Sequence, residues 1–240
     1  MNLVIDIGNT RTKFSVMNRG EVLITVPVDE LKPEHIGLLK HEYPDLKKAI
    51  LCSVKDYSIA LKTELKRFEK FIELDENTPL PVNNLYKTPG TLGKDRIAAA
   101  VGAFDLYPDS NLLIIDAGTA ITYDIVNASG EFLGGNISPG IGMRFKALHA
   151  FTDKLPQLKQ QPFDRLFGTT TEEAILAGVQ NGVIFEVDRA IDTFKEIYRN
   201  LKVIITGGNA EFFDRKLKNS FFVNFNLIAL GLNRILEHNE

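Results

Sequence analysis

Short apolar runs broken by turn residues open the chain. Leu3-Val4-Ile5 is a buried run, Thr12 to Val16 alternates, Asn18-Arg19-Gly20 makes a turn, and Val22 to Val26 is extended again. Residues 2–26 therefore predict a β-hairpin or meander. Ala49 to Val54 predicts a buried strand, Ile59 to Phe68 a helix with Leu61, Leu65 and Phe68 on one face, and Phe71 to Leu74 a further strand. A loop rich in Pro, Asn and Gly follows from Glu76 to Gly93, then an alanine-rich helix from Asp95 to Leu106. Leu112 to Ile115 reads as a buried strand and Thr119 to Asn136 as a second hairpin. Gly134, Gly135, Gly140 and Gly142 mark a tight segment before a helix near Met143. Thr170 with Glu173 three residues on has the capping-box spacing and opens a long helix toward Tyr198. Val203 to Thr206 is a strand running into Gly207-Gly208-Asn209, and Leu227 to Leu236 is an apolar helix. Hairpins interleaved with helices predict an α/β protein with mixed sheets.

The two hairpins read as copies. At a fixed offset of 110, Leu3, Ile5, Asp6, Gly8, Thr12, Val16, Gly20, Glu21 and Leu23 match Leu113, Ile115, Asp116, Gly118, Thr122, Val126, Gly130, Glu131 and Leu133, nine identities in 21 ungapped positions. Ordinary composition gives roughly one or two. In each copy an apolar strand ends in Asp, followed by Gly and a small polar residue. Such a Gly lets backbone N–H groups approach an anion, and the Asp can hold a cation that neutralises phosphate. Two copies facing each other predict a grip on a nucleotide triphosphate, although Asp-x-Gly is also ordinary turn chemistry.

Composition narrows the chemistry. Lys and Arg number 28 against 31 Asp and Glu, a net charge of −3, with no basic block. Neither nucleic acid nor an anionic membrane is implied as a partner. One cysteine, Cys52, excludes an internal disulfide and a cysteine-rich zinc site, and its apolar strand predicts a buried small hydrophobe. His35, His41, His149 and His238 share no ligand spacing. No apolar stretch approaches the roughly 20 residues of a membrane span. No charged leader precedes Leu3, so a cytoplasmic location is the expectation. The P-loop pattern is missing: Gly90-Thr91-Leu92-Gly93-Lys94 has the wrong spacing, and Asp95 stands where the hydroxyl belongs.

Asp6-Ile7-Gly8-Asn9-Thr10-Arg11-Thr12-Lys13 resembles the first phosphate motif of the acetate kinase, sugar kinase, Hsp70 and actin superfamily. As D-x-G-N-T-x-x-K it is similar to that of the type III pantothenate kinases. Further blocks of that family resemble this chain in order: Tyr86 nine residues before Asp95, Gly93-Lys94-Asp95-Arg96, Asp116-Ala117-Gly118-Thr119, Gly135 to Gly140, Thr171 after Gly168, and Thr206-Gly207-Gly208. Thr170 stands where the family usually has Asn. The resemblance implies two ribonuclease H-like (actin-like ATPase) domains with mixed β-sheets, a duplicated fold, here divided as residues 1–110 and 111–240.

The resemblance also implies ATP-dependent phosphorylation of pantothenate to 4′-phosphopantothenate, the first step of coenzyme A biosynthesis. Asp95 is then the general base. Asp6, Ile7, Gly8, Asn9, Thr10, Arg11, Thr12 and Lys13, with Thr119, Gly207 and Gly208, contact ATP. Tyr86, Gly93, Lys94, Asp95, Arg96 and Thr171 contact pantothenate. Asp6 orients Mg²⁺, and Asp116 holds a monovalent cation, K⁺ or NH₄⁺. A homodimer is implied, with the helix after Thr171 at the interface lending Thr171 to the neighbour's site. From the residues alone, Asp95 reads more readily as a helix cap or first-turn acid, and Arg96 as either a surface arginine or a planar fork for a carboxylate or phosphoryl oxygen. The competing readings are a kinase of the same superfamily with another small substrate, and a non-catalytic accessory or regulatory protein.

Overall fold

The computed structural model describes Met1–Glu240. The meander expected at the start forms as β1 (Asn2–Ile7), β2 (Thr12–Asn18) and β3 (Glu21–Val28), antiparallel throughout. Gly20, at φ +81°, makes the turn between β2 and β3. There follow α1 (Pro33–Glu42), β4 (Lys48–Ser53), α2 (Ile59–Leu65), β5 (Lys70–Glu73), a two-residue β6 (Asn83–Asn84) and α3 (Lys94–Leu106). The sheet order is β3-β2-β1-β4-β5, with β4 parallel to β1 and β5 parallel to β4. Leu3, Ile5 and Ile7 of β1 point into a core shared with Phe14, Leu51 and Leu65.

The remaining elements are β7 (Leu112–Ala117), β8 (Ala120–Val126), β9 (Glu131–Pro139), α4 (Ile141–Ala150), α5 (Thr171–Ile197), β10 (Lys202–Thr206), β11 (Phe222–Val223) and α6 (Leu227–His238). Their sheet runs β11-β10-β7-β8-β9-β6. Read from β9 it is β9-β8-β7-β10-β11, the order of the first sheet element for element, with β6 added at one edge. Gly130, at φ +74°, turns β8 into β9 as Gly20 does in the first copy. The duplication legible in nine identities is thus a duplication of strand order.

The chain gathers into two compact units, one of Met1–Ser110, Asp124–Gly134 and Phe225–Glu240, the other of Asn111–Tyr123 and Gly135–Asn224. The first crossing falls where the sequence division places its single boundary, at 110/111. The chain then returns twice to the first unit, most consequentially with α6. Within that unit α6 lies across α3 so closely that a Cβ on Gly102 would meet the Leu227 carbonyl, and one on Gly231 the Ala98 carbonyl. A pair of glycines therefore lets the two backbones touch.

Elements α1, α4, β6 and β11 depart from the expected pattern; β6 lies within the expected loop from Glu76 to Gly93. No apolar stripe announces α1, which buries only Ile36 and Leu39 behind Pro33 at its first turn. α4 starts at Ile141, two residues before Met143, because Gly140 can serve as its N-cap.

Candidate active site

In the first unit the site is built on the end of β1. Asp6 pairs in register with Lys13 of β2 and with Cys52 of β4. The tip that follows is pinned by Gly8 N–H donating to the Arg11 carbonyl at 3.1 Å, and by Val54 N–H donating to the Ile7 carbonyl at 3.1 Å. Asn9, Thr10 and Arg11 are exposed at the tip, while Ile7 and Thr12 are buried at its base. Asp6 Oδ1 is cut off from solvent and has no hydrogen-bond partner. Burial, and after it the charge of Asp95, push the Asp6 pKa from 3.8 up to about 6 against the opposing pull of Lys13. Cys52 is fully buried, its thiol pushed well up by burial and then by Asp6 and Asp95, as a small inert core residue.

Asp95 stands in the first turn of α3, half-buried, and its Oδ1 accepts the Arg96 backbone N–H at 2.9 Å. Gly93 is the N-cap, and a Cβ there would lie 2.6 Å from Asp95 Oδ1. The glycine thus reserves the space of the carboxylate. Lys94 lines a polar cleft of about 460 Å³ with Ser53, Lys55, Tyr57, Lys62 and Glu73.

Arg96 is not the open fork that its motif suggests. It is 6% exposed, with Nε 3.0 Å and Nη2 2.5 Å from Oδ1 of Asp124, which is itself 1% exposed. Two of its three nitrogens are thereby engaged in a bidentate buried pair. Its guanidinium carbon lies 5.6 Å from the centre of the Tyr86 ring, which leans on Phe132 at 6.2 Å. Arg96 accordingly braces Tyr86 and the start of α3. Asp124 was missing from the sequence reading, although an acid inside the otherwise apolar strand Ile121 to Val126 is the signature of a buried partner for a cation.

In the second unit Asp116 ends β7, opposite Thr206 of β10. The Gly207 turn, at φ +90°, folds over it: a Cβ on Gly207 would collide with Asp116 Oδ1 and the Ala117 backbone. Gly208 is exposed, with open space around its Cα. Asn209, another residue without a sequence signal, ties this turn down, its N–H to the Ala117 carbonyl at 2.9 Å and its side-chain amide to the Gly118 carbonyl at 3.3 Å. Thr119 is exposed at the tip, and Gly140 N–H donates to its carbonyl at 3.1 Å.

Thr171 begins α5 and is exposed. Thr170 is the N-cap, its hydroxyl accepting the Glu173 N–H at 3.2 Å. Glu173 reaches one residue further back than a capping box, taking the N–H and hydroxyl of Thr169 at 2.9 and 2.8 Å and pairing with Arg165. The Thr169 N–H, then Arg165, hold its pKa down at about 2. Thr171 lines an apolar groove of about 800 Å³ between α4 and α5, with Leu148, Phe151, Ile175 and Val179. No group of three or more His, Cys, Asp or Glu side chains gathers as a metal set.

Solved structures place this geometry. The chain is similar to a conserved protein assigned to the Baf family of transcriptional activators from Campylobacter jejuni, with a TM-score of 0.60, 25% identity, and 99% of this chain and 98% of that one covered. It is also similar to a glucokinase from an Antarctic psychrotroph, with a TM-score of 0.54, 12% identity, and 100% and 99% covered. With two sheets of one strand order and paired Asp-x-Gly tips, these likenesses define the class: a duplicated ribonuclease H-like fold of the actin-like ATPases and sugar kinases. The family model described as type III pantothenate kinase matches residues 2–193. The chain is 45% identical to the type III pantothenate kinase of Phocaeicola vulgatus over 241 residues (100% of this chain, 99% of that one), and 50% identical to that of Porphyromonas gingivalis over 258 (99% and 98%). This chain belongs to the type III pantothenate kinases.

Proposed function

We propose that Asp95 is the general base in the reaction of this family, the ATP-dependent phosphorylation of pantothenate to 4′-phosphopantothenate that opens coenzyme A biosynthesis. The acceptor hydroxyl oxygen attacks the γ-phosphorus, its proton passes to the Asp95 carboxylate, the bond to the β–γ bridging oxygen breaks, and ADP leaves. The observation that carries this reading is the pairing of two acids with divided tasks. Asp95 is half-buried and oriented by the Arg96 N–H, whereas Asp6 is a desolvated carboxylate with an unpaired oxygen. A buried acid without a partner costs stability and fits a cation-holding role. Asp6 is the residue that would hold Mg²⁺, which supplies neutralisation of the triphosphate charge.

The remaining roles are those the family resemblance implies. The first tip, Asp6 to Lys13, and in the second unit Thr119, Gly207 and Gly208, contact ATP. Tyr86, Gly93, Lys94 and Arg96 serve the acceptor side with Asp95, Arg96 acting through Tyr86 and the helix start. Asp116, beside the Ala117 carbonyl, holds the monovalent cation. The apolar groove of α4 and α5 receives a second copy of the chain, which brings Thr171 to its neighbour's pantothenate. The support for this is that the groove is lined by apolar side chains and that one of them, Phe151, is 87% exposed.

The test is a coupled assay with ATP, Mg²⁺, K⁺ and pantothenate, the product identified by mass. Asp95→Asn should fold, bind a non-hydrolysable ATP analogue, and lose about 10²-fold or more in kcat. Near-parent turnover removes Asp95 from the base role. Replacing K⁺ by Na⁺ should slow the parent, and equal rates would count against Asp116 as its ligand. A regulatory, non-catalytic reading draws on the description of the Campylobacter relative. It gives no reason for the costly Asp6–Asp95 juxtaposition, and product formation from pantothenate excludes it.

A further inference from the structure

The second phosphate tip is held from behind by an ion pair to which the reaction gives no part. Arg144 of α4 sets Nη2 2.5 Å from Glu186 Oε2 of α5, and Glu186 Oε1 accepts the Tyr123 hydroxyl of β8 at 2.8 Å. The same guanidinium donates from Nε to the Pro139 carbonyl at 2.9 Å and from Nη2 to Ser138 Oγ at 3.0 Å. Pro139 immediately precedes Gly140, whose N–H holds the Thr119 carbonyl and whose missing side chain leaves room for the Gly118 and Thr119 carbonyl oxygens. An acid on α5, a hydroxyl on β8 and a base on α4 thus meet on a few residues of backbone, and that backbone touches the tip.

A pair that only stapled α4 to α5 would need no contact with the end of β9. Here the planar fork spends two donors on the last two residues of that strand, Ser138 and Pro139, a geometry that a point charge cannot copy. The pair is partly buried, at 22% and 33% side-chain exposure, so water screens it less than a surface pair. Burial raises the Glu186 pKa, but bonds from Arg144, Ser138 and Tyr123 outweigh it and leave the acid below its usual range. The clamp therefore stays charged through neutral pH.

We propose that Arg144, fixed by Glu186 and Tyr123, is a positioning residue for phosphoryl transfer: it sets the Ser138–Gly140 segment, and through it Gly118 and Thr119, where the second tip meets ATP. The proposal rests on the reading of Thr119 as an ATP contact. It acts on the nucleotide tip rather than on Asp95; because Arg144 also lines the α4–α5 groove, the two substrates are compared only in variants that keep the parent's oligomeric state.

The full chain carries the test, as parent, Arg144→Gln, Arg144→Lys, Glu186→Gln and Arg144→Gln/Glu186→Gln. Calorimetry measures binding of a non-hydrolysable ATP analogue with Mg²⁺, and steady-state kinetics measure KM for each substrate, all below each variant's unfolding midpoint. Arg144→Gln should weaken the analogue and raise KM for ATP about tenfold, the scale of one charge-assisted hydrogen bond. KM for pantothenate should stay within about twofold, because the clamp bears on the nucleotide tip, whereas uniform loss of active protein would move neither constant. Arg144→Lys should recover only part of the loss, and the double variant should be no worse than Arg144→Gln alone. Folded variants with unchanged ATP-analogue affinity, or with both KM values raised equally, overturn the proposal. If Arg144→Gln does not fold, Glu186→Gln and Tyr123→Phe decide by the same criterion. A parent that fails to bind the analogue overturns the ATP reading of Thr119 along with it, whereas a binding parent with unaffected variants overturns the clamp alone.

Discussion

Asp6 carries a desolvated oxygen without a hydrogen-bond partner, and its pKa of about 6 makes it a group that folding prefers protonated. Between pH 4 and 6 the folded chain holds a proton that the unfolded chain has released. Stability contributed by this group is therefore full below pH 4 and lost as pH rises through 6, by about 3 kcal/mol at most. Asp6→Asn should remove that loss. Thermal melts at pH 7.5 without nucleotide should show the variant more stable than the parent, about 2–4 °C per kcal/mol for a chain of this size, while its turnover collapses. A variant less stable than the parent would contradict the orphaned carboxylate. Gly93→Ala tests the neighbouring acid. The backbone there suits alanine, but the new Cβ displaces the Asp95 carboxylate from 2.6 Å. Melting should stay within about 1 kcal/mol of the parent while kcat falls about tenfold or more. Unchanged kcat would mean that the carboxylate position is not critical.

At the scale of elements, α3 is held where Asp95 needs it by the α6 backbone. Gly231→Ala drives a methyl into the Ala98 carbonyl and should cost about 1–3 kcal/mol in urea unfolding. Activity should fall in step, because the helix that moves carries Asp95, the proposed base. A neutral substitution would show that the helices can part without cost. Much of this architecture was readable from the residues. Strands with strong apolar runs, Leu3 to Ile5 and Leu112 to Ile115, stand where they were expected, and the copied hairpins foretold the copied strand order. The capping threonine ahead of α5 was legible too, since one hydroxyl and one N–H three residues apart make a local device. What escaped was long-range. The partner of Arg96 lies 28 residues away on another strand, the Arg144–Glu186 pair spans 42, and neither distance leaves a local pattern. α1 escaped because two buried residues make no periodicity. The same limit explains Arg96 itself: its motif described a fork, and only the strand carrying Asp124 shows where the fork points.

The whole chain has a near-balanced charge and no helix long and apolar enough to cross a membrane. The apolar groove between α4 and α5 is the surface that predicts self-association. Sedimentation should give twice the chain mass of 26.8 kDa. Leu148→Asp in the α4–α5 groove should yield folded monomers that melt lower than the parent dimer and whose KM for pantothenate is raised. A fully active monomer would leave Thr171 without a neighbour to serve. The last helix has a further consequence, which concerns synthesis. Asn233 of α6 hydrogen-bonds Asn2, at the opposite end of the chain, and Gly231 fills the notch on α3. A nascent chain leaving the ribosome cannot close its first unit until those residues emerge. Arrest before Leu227 should leave α3 open to protease, and release of the final turns should close it, so the timing of translation governs when Asp95 first finds its place.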